Sequence, residues 1–273
     1  IGNGLESPEY WSASRIILNP PFHKMLAPQD CKWGTGKISA AALFLEACLA
    51  NSNDGTEIIA ILPDVLRSGS LYEKWRDMIS AEASIHRIET FGEFDHITDV
   101  SVFVLSFTKT SQKPKQAVKW WKPLKGLTIG DFFDVSVGAV VPYRDKKSGP
   151  KLRYIQPKGL AKWEIVRQTK ERRRFKGTSV RTPFVVIRRN SRFEDQHRAC
   201  ATIIAGEGPA FVENHLIVLR PKDRTLRTCQ NLLGVLKSEE TNAWVNNRIR
   251  CRHLTVSSVK EIPYTKSEKC QNS

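Results

Sequence analysis

The order of apolar and polar positions splits the chain into two stretches. In the first, strand-like and helix-like runs alternate; in the second, short β-rich runs dominate. Arg15-Ile16-Ile17-Leu18 is an apolar run that stops at Asn19-Pro20-Pro21, because proline has no N–H with which to extend a ladder. Across residues 37–51, Ile38, Ala41, Ala42, Leu45 and Leu49 recur on one helical face, and Asn51-Ser52-Asn53-Asp54-Gly55 supplies turn residues to end the helix. Residues 57–62 read as a second buried strand, again stopped by a proline, Pro63. Ser70, with Glu73 three positions on, has the form of a capping box for a helix running to about residue 80. Residues 85–91 and 100–107 read as two further strands joined by a short polar connection. This succession predicts a mainly parallel sheet with a closing hairpin. In such sheets ligands sit at the carboxyl ends of strands, where both proline stops fall. A complete doubly wound domain needs several strands before Arg15, so the stretch reads as the back half of such a fold.

Residues 108–123 are polar, basic and proline-containing, the character of a domain joint, with Trp120 and Trp121 expected to pack between the domains. A new module follows. It has β-rich runs at residues 182–188, 199–204 and 215–219, a mainly helical stretch at 226–247, and a last strand or loop at 254–262. The boundaries expected are residues 1–110 for the first domain, 111–126 for the linker and 127–273 for the second domain.

Charge separates the two parts further. Residues 1–110 hold 9 basic and 14 acidic side chains, a net of −5, whereas residues 111–273 hold 34 and 14, a net of +20. Basicity confined to one domain is the electrostatic footprint of a polyanion-binding module beside a domain with another task. The three densest groups are Arg172, Arg173, Arg174 and Lys176; Arg188, Arg189 and Arg192; and Arg248, Arg250 and Arg252. They are the candidate phosphate contacts. Tyr143 and Arg144, in an expected turn, join them. The apolar run 40–50 is broken by Glu46 and falls well short of the roughly 20 residues that span a bilayer. No charged leader followed by an apolar stretch opens the chain, which begins without Met. The six cysteines are scattered without a CxxC pair or metal-like spacing, which points to reduced thiols, a cytoplasmic setting and no metal site.

Asn19-Pro20-Pro21-Phe22, directly after an apolar strand, carries the chemistry. Two prolines fix the backbone, so that the Asn19 amide oxygen and the Pro20 carbonyl can both accept hydrogen bonds from one exocyclic amino group. Phe22 offers a planar base a stacking face. Here the sequence resembles the amino-group DNA methyltransferases that use S-adenosylmethionine, in particular the N6-adenine enzymes of restriction-modification systems, whose hallmark is [DNS]-P-P-[YFW] after a strand. KWGTGKISAAALFLEACLA, TEIIAILPDVLRSGSLYEKWRDMI and HRIETFGEFDHITDVSVFVLSFTK follow in the family's order of later catalytic motifs. The resemblance covers nearly all of residues 11–109. DVSVGAVVPYRD, ENHLIVLRP and HLTVSSVKEIPY resemble segments of the target-recognition domains joined to such enzymes.

The fold the resemblance implies is α/β: a partial Rossmann-like methyltransferase sheet lacking its N-terminal strands, followed by a basic mixed α+β target-recognition domain. The activity it implies is transfer of a methyl group to the N6 of an adenine flipped out of duplex DNA. Asn19 and the Pro20 carbonyl would accept the N6 hydrogens, Pro21 would stiffen the corner, and Phe22 would sandwich the base with Phe94 as the other wall. His23 and His96 read as pocket lining or surface, and Asp64 as a cap or loop residue. The family's cofactor pocket uses a Gly-rich segment and an acidic residue that have no counterpart before Asn19. Gly34-Thr35-Gly36-Lys37 lacks a preceding strand and P-loop spacing, and reads as a loop and helix start beside the base. The expected cofactor is therefore S-adenosylmethionine with its main binding motif outside this chain, which is expected to be inactive alone. The expected partners are double-stranded DNA and the missing N-terminal segment or another restriction-modification subunit, with no membrane. Two other readings stand beside this one: a non-catalytic DNA-binding specificity module, and a ribosomal RNA base methyltransferase, since NPPFH also resembles the loop of guanine-N2 enzymes.

Overall fold

The computed structural model describes residues 12–94, 100–112, 118–122 and 126–264. The chain forms two units, Ile1–Pro123 with Ile249–Cys251, and Leu124–Arg248 with Arg252–Ser273.

In the first unit the elements are β1 (Arg15–Leu18), β2 (Lys24–Leu26), β3 (Lys37–Ser39), α1 (Ala40–Asn51), β4 (Glu57–Pro63), α2 (Asp64–Ser68), α3 (Glu73–Glu82), β5 (Ala83–Glu93) and β6 (Ser101–Lys109). A four-stranded sheet runs in the order β1-β4-β6-β5. Only β1 and β4 are parallel, with Leu18 opposite Ala60; β6 is antiparallel to both β4 and β5. The mainly parallel sheet expected from sequence is thus a mixed one. The physical reason is the short link from β5 to β6, which admits only an antiparallel return, and β6 then lies between β5 and β4. Ile58, Ala60 and Leu62 of β4 point into a core shared with Leu45 and Leu49 of α1, Trp75 and Ile79 of α3, and Phe103, Leu105 and Phe107 of β6. The Trp75 indole N–H donates to the Ala42 carbonyl at 3.2 Å and ties α3 to α1.

Three local expectations change. Helix α1 starts at Ala40 rather than residue 37, because residues 37–39 pair with β2, placing Ile38 opposite Met25. Ser70 makes no side-chain cap; Ser70–Tyr72 is a 3-10 turn leading into α3. The Tyr72 hydroxyl there accepts the Ser39 N–H at 2.9 Å. Trp120 packs against Trp75 and Phe103 in the first unit's own core, and the partly buried Trp121 packs against that core with Arg76 over its ring. Much of the expected linker, residues 113–117 and 123–125, lies outside the described residues.

The second unit holds α4 (Ile129–Phe132), β7 (Phe133–Val137), β8 (Lys151–Ile155), β9 (Ile165–Val166), β10 (Arg172–Arg174), β11 (Val180–Arg181), β12 (Phe184–Arg188), β13 (Ala201–Ile204), β14 (Pro209–Val212), β15 (Leu216–Pro221), α5 (Leu226–Lys237), α6 (Glu239–Arg248) and α7 (Val256–Lys260). Its strands form two sheets, in the orders β7-β15-β12-β13-β9 and β10-β8-β14-β11. Phe184, Val186, Ile204, Val212 and Val218 share one apolar core, while Tyr154, Phe175 and Phe211 form a second aromatic cluster. The helical stretch at 226–247 divides at Ser238, whose hydroxyl accepts the Thr241 N–H at 3.1 Å. Residues 256–260 are a helix and not a strand, since Thr255 and Ser258 close a reciprocal capping box. Among the described residues no helix is long and apolar enough to cross a membrane, no group of His, Cys, Asp and Glu could hold a metal ion, and five cysteines are free. Cys270 lies outside them.

Candidate functional site

The corner after β1 follows from its covalent chemistry. β1 and β4 run in parallel, so Asn19 and Pro63 leave the sheet at the same end. Asn19 is exposed, Pro20 is buried, Pro21 is exposed and Phe22 is half-buried. The buried proline anchors the turn and leaves the Asn19 side chain in solvent. The chain then returns through β2: the His23 carbonyl accepts the Ala40 N–H at 3.0 Å and pins the corner to the start of α1. His23 itself is exposed, and His96 lies outside the described residues.

Phe94 follows β5, with its N–H donating to the Val100 carbonyl at 2.9 Å. Its ring centroid stands 5.2 Å from that of Phe22, with the planes at 74°. The two rings therefore touch edge to face, as aromatic quadrupoles prefer when nothing lies between them. A sandwich of Phe22 and Phe94 around a base requires near-parallel faces across a gap, which this arrangement does not have. Phe94 is 39% exposed, so the pair opens to solvent and one ring can part from the other without emptying a core.

Gly34-Thr35-Gly36-Lys37 turns out to be the connection into β3. Gly36 has φ +70, and its carbonyl accepts the Ala27 N–H at 2.8 Å. It closes a β2–β3 loop and precedes a strand rather than a helix. These residues do not make a helix-terminal anion cradle.

Asp64 is the residue that sequence reasoning undervalued. It opens α2 fully buried, accepts from Arg67 Nε at 2.6 Å and from Ser68 Oγ at 2.8 Å, and takes the Arg250 backbone N–H at 3.0 Å. The i,i+3 spacing of Asp64 and Arg67 was the only signal available in the sequence. The Arg250 side chain donates to the Phe91 carbonyl at 2.9 Å, immediately before the strand end that carries Phe94.

In the second unit the three basic groups differ in how much of their charge is free. On β10, Arg173 lies 4.3 Å over the Tyr154 ring and pairs with Glu171, while Arg174 donates to the Gly149 carbonyl at 2.8 Å. Arg172, Arg174 and Lys176 are exposed. Arg188 and Arg189 are half-buried and donate to the carbonyls of Leu160 and Asn214; Arg192 is exposed. Arg248 is 3% exposed and ion-paired with Glu261 at 2.6 Å. It ends α6, so the expected strand-like alternation of Arg248, Arg250 and Arg252 does not occur. Tyr143 is 85% exposed on a turn closed by Asp145, whose carboxylate accepts the Val141 N–H at 2.8 Å.

No protein-family model and no curated protein matches this sequence. Solved structures do. The type IIL restriction-modification enzyme MmeI, solved in complex with DNA, superposes on 91% of this chain and 46% of its own, with a TM-score of 0.53 at 11% identity. The type IIG restriction endonuclease BpuSI matches 98% of this chain and 48% of its own, with a TM-score of 0.41 at 13% identity. The modification protein of the type I enzyme EcoKI matches 42% and 25%, with a TM-score of 0.33 at 22% identity. The chain spans less than half the length of each of these proteins. The likeness to MmeI is one of fold.

Proposed function

We propose that this chain is the target-base half of a restriction-modification DNA methyltransferase specific for adenine N6, with its second unit as the DNA-holding lobe. The observation that carries the proposal is the Asn19-Pro20-Pro21-Phe22 corner: a solvent-facing amide on a buried proline anchor, at the carboxyl end of β1, with the Phe22 ring against Phe94. The fold likeness across both units and the confinement of net positive charge to residues 111–273 support it.

In this reading the Asn19 amide oxygen and the Pro20 carbonyl accept the two N6 hydrogens of an everted adenine. Two acceptors on one amino group draw its nitrogen from planar towards tetrahedral geometry and localise its lone pair. The prolines make that arrangement rigid before the base arrives, so little reorganisation remains at the moment of reaction. Phe22 holds the base by stacking, worth about 1–3 kcal/mol, once Phe94 swings from its edge-on contact to face it. No side-chain nucleophile is required: the amino nitrogen takes the methyl group, the donor keeps the electron pair of the broken carbon–sulfur bond, and the surplus N6 proton passes to solvent. S-adenosylmethionine is the methyl donor this chemistry implies. The glycine-containing loop closes a β-hairpin, and donor binding is assigned to no residue of this chain.

The test is the product. The natural protein containing this chain, incubated with labelled donor and either duplex DNA or ribosomal RNA, is expected to leave N6-methyladenine in the DNA. Modified guanine in the RNA supports the ribosomal alternative, and salt-sensitive DNA binding without transfer supports a specificity module; either result refutes the proposal.

A further inference from the structure

Across strands β8 and β10, Arg153 stands directly opposite Arg172. Like charges facing each other in an antiparallel pair destabilise it, and no acid resolves the conflict. Glu171, the nearest carboxylate in sequence, is occupied by Arg173 and Gln156. Among the described residues no carboxylate forms an ion pair with Arg153, Arg167 or Arg172. Arg153 is 5% exposed. Its terminal nitrogens donate to the carbonyls of Arg167 at 3.1 Å, Ala205 at 2.7 Å and Gly208 at 2.8 Å, while its Nε is buried without a partner. Burial first, and then the charge of Arg172, hold its guanidinium below the usual arginine range.

The backbone around it is shaped to the same end. Gly206 has φ +84, and a Cβ there would stand 2.4 Å from the Arg167 carbonyl oxygen. Only glycine lets this loop lie against the segment carrying Arg167. The result is an open cleft of about 580 Å³, lined by Arg153, Arg167, Thr169, Arg172, Gly206 and Glu207 among others. Three arginines face it against a single carboxylate, Glu207, which is itself exposed. The exposed Arg167 and Arg172 are the groups able to reach a ligand; Arg153 fixes the loop between them.

We infer that this cleft binds a phosphate group, with Arg167 and Arg172 as its ligands and Arg153 as the positioning residue. A phosphate accepts paired N–H bonds from guanidinium groups, and an anion lodged there turns the Arg153–Arg172 repulsion into two attractions. The inference deepens the reading of the second unit as a DNA-holding lobe and rests on it: the phosphate is that of the nucleic-acid backbone or of a free phosphate compound.

Arg172→Gln and Arg167→Gln in the whole chain test it, with three readouts. In the absence of ligand, Arg172→Gln is expected to raise the thermal unfolding midpoint, because it removes the repulsion. Against duplex DNA, each variant is expected to bind several-fold more weakly and to lower the slope of log affinity against log salt by about 1. Inorganic phosphate, compared with chloride at equal ionic strength, is expected to raise the midpoint of the parent more than that of either variant. A phosphate response lost in both variants with duplex binding unchanged assigns the cleft to free phosphate compounds. A lower midpoint for Arg172→Gln makes the residue structural and overturns the inference. A raised midpoint with neither phosphate nor duplex binding altered means repulsion without a ligand, and overturns it equally. If the parent chain fails to bind duplex DNA at all, the DNA-holding reading fails while the phosphate arm still decides the cleft.

Discussion

The two units use arginine differently, and the difference shows how far a charge count can be trusted. In the first unit, Arg67 and Arg76 are almost wholly buried. Arg67 is held by Asp64, and Arg76 by the carbonyls of Leu66 and Gly69. They act as internal braces for the segment after β4 and contribute nothing to the surface. Residues 111–273 carry a net +20 in sequence, yet the second unit too sequesters Arg153, Arg198 and Arg248. The cations left at its surface include Arg167, Arg172, Arg174, Lys176 and Arg192. A basic domain thus holds a few braced arginines inside a larger exposed set, and only the exposed set can meet a polyanion.

Removing the carboxylate that braces the first unit carries the greatest cost. Asp64→Ala leaves the buried Arg67 guanidinium without its carboxylate and is expected to destabilise the first unit by about 3–5 kcal/mol, measured by denaturant unfolding. An Asp64→Ala protein as stable as the parent would mean that the pair is not a brace.

Phe22→Ala comes next. Removing the stacking face is expected to weaken binding of a duplex with an unpaired or mismatched target adenine by about 1–3 kcal/mol, with a smaller effect on a fully paired duplex. The contrast between the two duplexes separates base stacking from general loss of structure. Among the free cations, Lys176→Gln is expected to lower the salt slope of duplex binding by about 1, whereas Arg248→Gln is expected to cost stability and leave that slope unchanged. Equal slopes for Lys176→Gln and the parent would remove Lys176 from the phosphate-contacting set.

The smallest effect concerns acid. The Asp54 carboxyl is held below its usual range by hydrogen bonds from Ser111, Asp131 by the Thr128 N–H and hydroxyl, and Asp145 chiefly by the Val141 N–H. Carboxyls with depressed folded-state values stabilise the fold above the unfolded value near about 4, and that contribution fades as pH falls through the folded values. The unfolding midpoint is therefore expected to drop as pH is lowered from 5 towards 3, and Asp145→Asn is expected to flatten the decline slightly. A decline unchanged in Asp145→Asn would show that the turn below Tyr143 is held by other contacts.

Some of this was legible in the sequence, and physics explains which parts. The strands β1 and β4 announce themselves as apolar runs cut by proline, and α1 by its buried face. Strand direction did not follow, because the hairpin that inserts β6 beside β4 is a long-range pairing that alternation alone does not encode. Helix α7 was hidden by β-branched Thr255, Val256 and Val259, whose strand propensity was outweighed by the Thr255–Ser258 capping box. Arg248, Arg250 and Arg252 alternate like a strand face, yet Arg248 ends α6 and faces Glu261. At the corner, the residue types of Asn19 and Phe22 pointed to amino-group chemistry. The link from Phe22 to Phe94 came only from resemblance, and the edge-on geometry of their rings could not be read from any spacing.

In the proposed reading, the Asn19 amide acts on the amino group of an everted adenine. The measurement that tests it most directly is methyl transfer to duplex DNA by the natural protein carrying Asn19→Ala, with duplex affinity measured in parallel. The expected result is a loss of transfer on the order of 100-fold, the scale of removing one preorganised polar contact, with affinity and unfolding midpoint unchanged. Transfer at the parental rate would contradict the claim.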